Sequence, residues 1–319
     1  MKKVLSVLLA ALLLAAAGCS TPAQTQEKES RINVVATTYP VYLFASALCD
    51  GVEGVTVERL NTGETSCLHD YTLSVDDMKL LEGADVIAMN GAGLEDFMSD
   101  ALATSSAQVI DCSEGVDLLE NLAHDHEEGD EADHDHGHYD PHIWMDPNNA
   151  ITMVENLYRG LGELDPEYEQ QYRENMDGAT GLISGWNSAM KEILEQAKGD
   201  KGVTVSGLIT FHDGFQYFAK AFDFPLLAAI EEEAGSEASA REITEITELV
   251  KEYNLPVIFT EVNGSDATAQ AISRETGCAV AQLTMLMDGP DSELSNYYDG
   301  LMGNMTAIVN GFAGEEVIS

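Results

Sequence analysis

The stretch EYEQQYRENMDGATGLISGWNSAMKEILEQAK, residues 167–198, decides how this chain is divided. It follows Pro166, which stands where a helix can begin, and it contains no run with the pattern of a strand. Although glycines interrupt it at positions 178, 181 and 185, the stretch predicts one long helix. Short β-branched runs alternate with helical segments on both sides of it. The sequence therefore predicts two α/β lobes joined by one long helix.

The β-branched runs on each side of this helix are the predicted strands. They lie at residues 32–38, 55–60, 85–90, 108–113, 203–210, 225–230, 256–261 and 278–283. Helix candidates lie between them, at residues 40–51, 74–83, 94–106, 214–222, 239–254, 265–276 and 292–312. Because strands and helices alternate, each lobe is predicted to hold a parallel sheet flanked by helices. We expect an N-terminal lobe at 31–147, a helical segment containing the linking helix at 148–199, and a C-terminal lobe at 200–319.

The first residues, MKKVLSVLLAALLLAAAGCS, have the pattern of a secretory signal, predicted at residues 1–18. The apolar stretch from Val4 to Gly18 is too short and wrongly flanked for a membrane-spanning helix. Its end resembles a bacterial lipobox, which implies cleavage before Cys19 and lipidation of the Cys19 sulfur. Ordinary soluble secretion is the alternative. Residues 19–30 have no apolar periodicity and are expected to form a flexible tether.

The chain is strongly acidic, with a formal net charge of −41. A field of this sign repels nucleic acid and anionic lipid headgroups and attracts cations. We therefore expect no nucleic-acid partner. A cationic partner is favoured, although an acidic surface also simply keeps a protein in solution.

Four further cysteines, Cys49, Cys67, Cys112 and Cys278, are widely spaced. The spacing excludes a CxxC metal site, and the sequence does not reveal any pairing. Outside the cytoplasm they can be buried thiols or form one or two disulfides. Cys67 precedes His69 by two residues, so a thiolate metal ligand is an open alternative.

Five of the eight histidines lie in the tract HDHEEGDEADHDHGH, residues 124–138, together with seven acidic residues. This composition cannot bury enough apolar surface to fold alone, so a solvated loop is predicted. The loop can bind metal loosely and help to capture or sense it, or it can have no essential role. The loosely binding side chains are His124, His126, His134, His136 and His138.

The three remaining histidines, His69, His142 and His212, each lie near the end of a predicted strand or at the edge of a lobe. Ligands of open parallel sheets bind outside the carboxyl ends of the strands, so these side chains can converge on a cleft between the lobes. Three imidazoles suit Zn²⁺ and leave a fourth position for a carboxylate or water. The alternative for each histidine is a hydrogen-bonded structural role. Trp144 and Phe211 are interpreted as packing residues.

Several motifs resemble those of the substrate-binding lipoproteins of zinc ABC transporters. They are TTYPVYLF, SCLHDYTLS, NGAGLEDFM, the acidic histidine loop, YDPHIWMDPNNA, FHDGFQYFAKAF and ETGCAV, and they cover nearly the whole chain beyond the signal. The resemblance implies two lobes linked by a rigid helix, with metal in the interlobe cleft held by His69, His142 and His212. Relatives selective for manganese carry a carboxylate at the place of His212, so imidazole there favours zinc.

The fourth ligand is where this chain departs from the family pattern. Many relatives carry an aspartate after the last strand, and the stretch QLTMLMDGP has Thr284 at that place. Water, Asp288 from a shifted loop and, remotely, Glu261 are the alternatives. The carboxylates Asp140, Asp213 and Glu261 are interpreted as groups that orient the imidazoles.

The predicted function is extracytoplasmic capture of Zn²⁺ and its delivery to an ABC permease with its ATPase. The protein is expected to be a monomer, lipid-anchored to the bacterial cell membrane, with Zn²⁺ as its transported ligand and no enzymatic activity. The main alternative is a binding protein for manganese or another divalent ion. A secreted zinc hydrolase is more remote, because no H-E-x-x-H motif occurs and the sequence offers no obvious general base beside a pocket for an organic substrate. An adhesin or a metal-storage protein is equally remote.

Overall fold

In the part of the chain that the structure describes, eight strands form two four-stranded sheets, one in each half. The structure is a computed structural model and describes residues 31–61, 71–121, 139–231, 239–262 and 264–319. The first sheet contains β1 (Ile32–Ala36), β2 (Val55–Arg59), β3 (Val86–Met89) and β4 (Gln108–Asp111), and the second contains β5 (Leu208–His212), β6 (Leu226–Glu231), β7 (Val257–Glu261) and β8 (Ala279–Leu283). The sheet orders are β2-β1-β3-β4 and β6-β5-β7-β8. All neighbouring strands are parallel, which confirms the predicted fold class.

Helices flank both sheets. They are α1 (Tyr39–Cys49), α2 (Val75–Glu82), α3 (Ser99–Thr104), α4 (Pro147–Leu164), α5 (Glu169–Lys201), α6 (Gln216–Ala221), α7 (Ala240–Glu252), α8 (Ala267–Thr276) and α9 (Ser295–Ala313), with 3₁₀ turns at Asp96–Met98 and Ile143–Met145. Both α2 and α7 begin with a capping box, Ser74 with Asp77 and Ser239 with Glu242, at the places where the sequence indicates a helix start. Among the helices of the described ranges, none has the length and hydropathy needed to cross a bilayer.

The helix α5 is 33 residues long and contacts both lobes. Near its start, Asn175 donates hydrogen bonds from Nδ2 to the carbonyls of Leu48 and Asp50, both at 2.8 Å. Further along, Trp186 stacks on Tyr298 of α9 with ring centroids 5.4 Å apart. The helix predicted from its sequence is therefore the element that links the two lobes.

Much of the buried apolar surface forms one core that runs through both lobes. It joins Val34 of β1 and Leu43 of α1 to Trp144, and continues to Tyr217 and Leu283 in the second half. Burial of this kind contributes about 25 cal/mol for each Å² of apolar surface removed from water. The shared core therefore joins the two lobes by apolar packing.

The first strand of the second lobe begins later than predicted. The sequence predicts a strand at 203–210, whereas β5 starts at Leu208 and extends to His212. Val203 still donates its N–H to the carbonyl of Ala197 in the last turn of α5, and pairing begins where Leu208 donates to Pro225. Two differences follow. Residues 203–207 are a connection, and His212 is the last residue of the strand itself.

Two further predictions concern α3 and the cysteines. The helix predicted at 94–106 is a 3₁₀ turn followed by the short α3. Among the cysteines that the structure describes, Cys49, Cys112 and Cys278 are buried free thiols. Burial raises the pKa of the Cys49 thiol to about 12 and raises the pKa of the Cys112 thiol well above its ordinary value. These three are therefore packing residues in this structure, while Cys67 lies outside the described residues.

Candidate metal centre

His212 lies at the carboxyl end of β5, the strand at which the strand order of the second sheet reverses. In the order β6-β5-β7-β8, the chain places β6 on one side of β5 and β7 on the other. Such a switch point opens a crevice at the carboxyl ends of the strands, where ligands of parallel sheets bind. The His212 side chain is buried, and its carbonyl accepts a hydrogen bond from the Thr210 hydroxyl at 3.0 Å. The fold thus directs one imidazole to the expected ligand position.

His142 lies in the N-terminal lobe, immediately before the turn Ile143–Met145. Asp140 Oδ1 accepts two hydrogen bonds from it, one from the backbone N–H at 2.9 Å and one from ring Nδ1 at 2.7 Å. Both side chains are buried. Because Nδ1–H donates a hydrogen bond to the carboxylate, Nε2 is left as the nitrogen that can ligate a metal. Asp140 therefore orients this imidazole, as the sequence suggests.

The loop that carries His142 is held over the switch point of the first sheet. Asn90 follows β3 and donates a hydrogen bond from Nδ2 to the carbonyl of Pro141 at 2.9 Å. Glu95 fixes the turn around Asn90 by accepting from the Thr37 hydroxyl at 2.6 Å and from the N–H groups of Asn90 at 2.7 Å and Gly91 at 3.0 Å. Burial raises the pKa of Glu95 to about 7. Each lobe thus presents a histidine where the strand order of its parallel sheet reverses.

The two histidine rings meet between the lobes. Their centroids are 5.2 Å apart and their planes are inclined by 88°. With Zn–N bonds of about 2.0–2.1 Å, a tetrahedral metal lies roughly 3.2 Å from each ring centroid, so two imidazoles that share it have centroids roughly 5.2 Å apart. The separation of His142 and His212 is therefore compatible with two ligands of one tetrahedral ion, and it also lies in the ordinary range for edge-to-face ring contacts.

Trp144 connects this site to the far lobe. Its ring contacts His142 edge-on with centroids 5.3 Å apart, and its Nε1 donates to the carbonyl of Met285 at 2.9 Å. The carbonyl of Trp144 in turn accepts from the Tyr297 hydroxyl at 2.7 Å. The residue has more than the packing role that the sequence suggests, since its two hydrogen bonds fasten the His142 loop to the C-terminal lobe.

Asp288 is exposed and forms an ion pair with Arg59 of β2, with Nη2 and Oδ1 2.5 Å apart. The Arg59 guanidinium also lies over the Tyr39 ring, 4.8 Å from its centroid. The hydrogen bond from Arg59 lowers the pKa of Asp288, so the Asp288 carboxylate is ionised at neutral pH and paired with Arg59. The ion pair joins the two lobes at the position where the sequence suggests a possible fourth ligand.

Glu261 is buried at the end of β7, the strand beside β5. Since Thr210 pairs with Phe259, Glu261 lies level with His212 at the same edge of the sheet. Thr284 is held by Asn304, which accepts from the Thr284 N–H and donates to its carbonyl, both at 2.8 Å. The two carboxylates considered for the fourth position, Asp288 and Glu261, therefore lie in different environments, one exposed and one buried.

Several predicted residues lie outside the described part of the chain. These are Cys19, His69 and the loop histidines His124, His126, His134, His136 and His138. Within the residues that are described, no group of three or more histidine, cysteine, aspartate or glutamate side chains is arranged to hold a metal. The structure therefore brings together two of the three predicted histidines, and the full ligand set stays a prediction.

The sequence matches the family described as zinc-uptake complex component A, periplasmic (ZnuA), over residues 34–311. The match extends from β1 into α9 and includes both lobes. The chain belongs to the ZnuA family. The family assignment agrees with the resemblance noted from the motifs.

Individual relatives of this ZnuA family member agree with the fold. The zinc-binding protein AdcA of Streptococcus pyogenes serotype M3 is 25% identical over 337 residues, which cover 100% of this chain and 64% of that protein. The chain thus spans less than two thirds of the length of that relative. The metal ABC transporter substrate-binding lipoprotein ScbA of Streptococcus cristatus is 25% identical, covering 97% of this chain and 98% of that protein. A zinc-bound variant of AdcAII from Streptococcus pneumoniae has a TM-score of 0.71 and 25% identity, covering 88% of this chain and 99% of that one.

Proposed function

We propose that this ZnuA family member is an extracytoplasmic binding protein that captures Zn²⁺ and delivers it to an ABC permease with its ATPase. The observation that carries the proposal is the pair His142 and His212, which come from different lobes and meet at the separation expected for one metal. Support comes from the relatives, two of which are named as zinc-binding or solved with zinc bound. The chemistry required is reversible coordination, so no catalytic role is assigned to any residue.

The proposed ligands are His69, His142 and His212, with water in the fourth position. Neutral imidazoles suit zinc better than they suit manganese, which prefers carboxylate and water oxygens. A water ligand is proposed because Asp288 is engaged by Arg59 at the boundary of the lobes. Manganese or another divalent ion is the alternative cargo, which the relative named only as a metal transporter protein leaves open.

Replacing Asp288 by asparagine tests the fourth position. With water as the ligand, we expect zinc affinity in the variant to stay within about threefold of the original, because an exposed ion pair is worth roughly 0–1 kcal/mol. Asp291→Asn, another exposed loop carboxylate, is the matched control. Competition titration against a chelator measures the affinity. A loss of about a hundredfold in Asp288→Asn alone would assign Asp288 as a ligand.

The remaining parts of the proposal concern residues outside the described ranges. We propose that residues 1–18 are a signal, that lipidated Cys19 anchors the protein to the cell membrane, and that the protein acts as a monomer. The loop at 124–138 is proposed to hold zinc loosely, apart from the principal site. Relatives named as lipoproteins support the anchor.

Metal content and competition titration test the function directly. The purified protein without its signal is expected to hold one Zn²⁺ tightly, and excess Mn²⁺ is expected not to displace it. Deleting residues 124–138 should leave this tight site in place and remove additional weak binding. Tight binding of Mn²⁺ in preference to Zn²⁺ would instead establish the alternative cargo.

A further inference from the structure

Tyr217 lies on α6, five residues after His212, and is almost completely buried. Its side chain crosses from the C-terminal lobe to the N-terminal lobe. The hydroxyl donates a hydrogen bond to the carbonyl of Asp140 at 3.0 Å and accepts one from the N–H of Leu119 at 3.0 Å. One hydroxyl therefore satisfies two backbone groups of the opposite lobe.

Both partners of this hydroxyl belong to a short pair of chain segments that we call the neck, residues 119–120 and 139–140. Across the neck, Asp140 donates its N–H to the carbonyl of Leu119 at 2.9 Å, and Glu120 and Tyr139 form an antiparallel bridge. Tyr217 contacts both segments of the neck. Its hydrogen bonds therefore fix the neck, and with it Asp140, against the second lobe.

Asp140 links Tyr217 to His142. Its backbone carbonyl accepts from Tyr217, while its carboxylate accepts from both the backbone and the ring of His142. On the other side, Tyr217 is joined to His212 through the start of α6. The Tyr217 hydroxyl is therefore the link between the segment that carries His142 and the segment that carries His212.

We propose that Tyr217 is a positioning residue that sets the separation of His142 and His212 and thereby the residence time of the bound zinc. The inference rests on the proposed function, since it concerns the same two ligands. Burial raises the pKa of Tyr217 to about 12, so the hydroxyl keeps its proton at neutral pH and can donate to Asp140. Phenylalanine would retain the ring and its packing but neither hydrogen bond.

The experiment compares Tyr217→Phe with the original protein and with a matched control, Tyr172→Phe. Tyr172 is also fully buried, and its hydroxyl donates a hydrogen bond to Asp165, in the connection between α4 and α5, at 3.2 Å. Each zinc-loaded protein is mixed with a chromophoric chelator in excess, and the rate of zinc release is measured. Loss of a buried hydrogen bond changes an equilibrium by roughly tenfold, so we expect about tenfold faster release from Tyr217→Phe and an unchanged rate from Tyr172→Phe.

Loading with Co²⁺ supplies a readout that a loss of stability alone does not move. The visible absorption of Co²⁺ depends on the geometry of its ligands, and it is expected to shift in Tyr217→Phe but not in Tyr172→Phe. Release within twofold of the original with an unchanged Co²⁺ spectrum would overturn the inference, as would equal acceleration in both variants. If the original protein itself held no tight zinc, the proposed function would fail first.

Discussion

Replacing His212 by alanine is expected to weaken zinc binding about a hundredfold or more. Structural zinc sites bind with about 10–16 kcal/mol, so one of four ligands contributes roughly 2.5–4 kcal/mol. His212 is buried at the end of β5 and faces His142, so alanine removes one of the two imidazoles that meet there. Titration against a chelator of known affinity measures the loss.

Thr260→Val is the matched control for His212→Ala. Thr260 is buried on the neighbouring strand β7, one residue from its carboxyl end, and valine preserves its shape. We expect the control to bind zinc as the original protein does. A carboxylate in place of the imidazole, as in His212→Asp, should favour harder ions, so the ratio of Mn²⁺ to Zn²⁺ affinity is expected to rise. Full zinc affinity in His212→Ala would contradict the site assignment.

Replacing Asp140 by alanine is expected to lower zinc affinity about 10- to 100-fold without removing a ligand, which is the usual effect of deleting a partner that orients a ligating histidine. The carboxylate accepts a hydrogen bond from Nδ1–H of His142, and this bond fixes both the tautomer and the direction of Nε2. In the variant the ring can rotate and either nitrogen can carry the proton. Zinc affinity is therefore expected to fall and to become more dependent on pH.

Asp165→Ala is the control for Asp140→Ala. Asp165 is an equally buried carboxylate that pairs with Arg31, with Nη2 and Oδ2 2.7 Å apart. Its loss is expected to lower the thermal unfolding temperature while leaving zinc affinity unchanged. If the two variants lost zinc affinity equally, Asp140 would have no specific role at His142.

The architecture could be predicted because its signals are local. Each β-branched run forms a strand near its predicted place, and the stretch at 167–198 forms α5, because periodicity and capping report directly on backbone conformation. The predicted start of β5 was wrong because Val203 and its neighbours have the composition of a strand but lack a neighbouring strand to pair with. Strand ends depend on pairing, which is a long-range property.

The candidate site was predictable in its histidines and in Asp140, which orients His142. The positions of the histidines at strand ends follow from chain order, and the pairing of His142 with His212 agrees with that expectation. Tyr217 and Asn90 were missed, because each acts on a backbone carbonyl of a segment far away in sequence. The available signal was slight. Asn90 lies at a strand end beside two glycines, and Tyr217 lies in the helix predicted just after His212.

X-ray absorption spectroscopy at the zinc edge of the loaded protein, with residues 124–138 deleted, tests the site most directly. Three imidazole nitrogens at about 2.0–2.1 Å and one oxygen are expected. The imidazole count should fall to two in each of the variants His69→Ala, His142→Ala and His212→Ala. A sulfur neighbour at about 2.3 Å, or a spectrum that His142→Ala and His212→Ala leave unchanged, would contradict a zinc ion held between the lobes by these histidines.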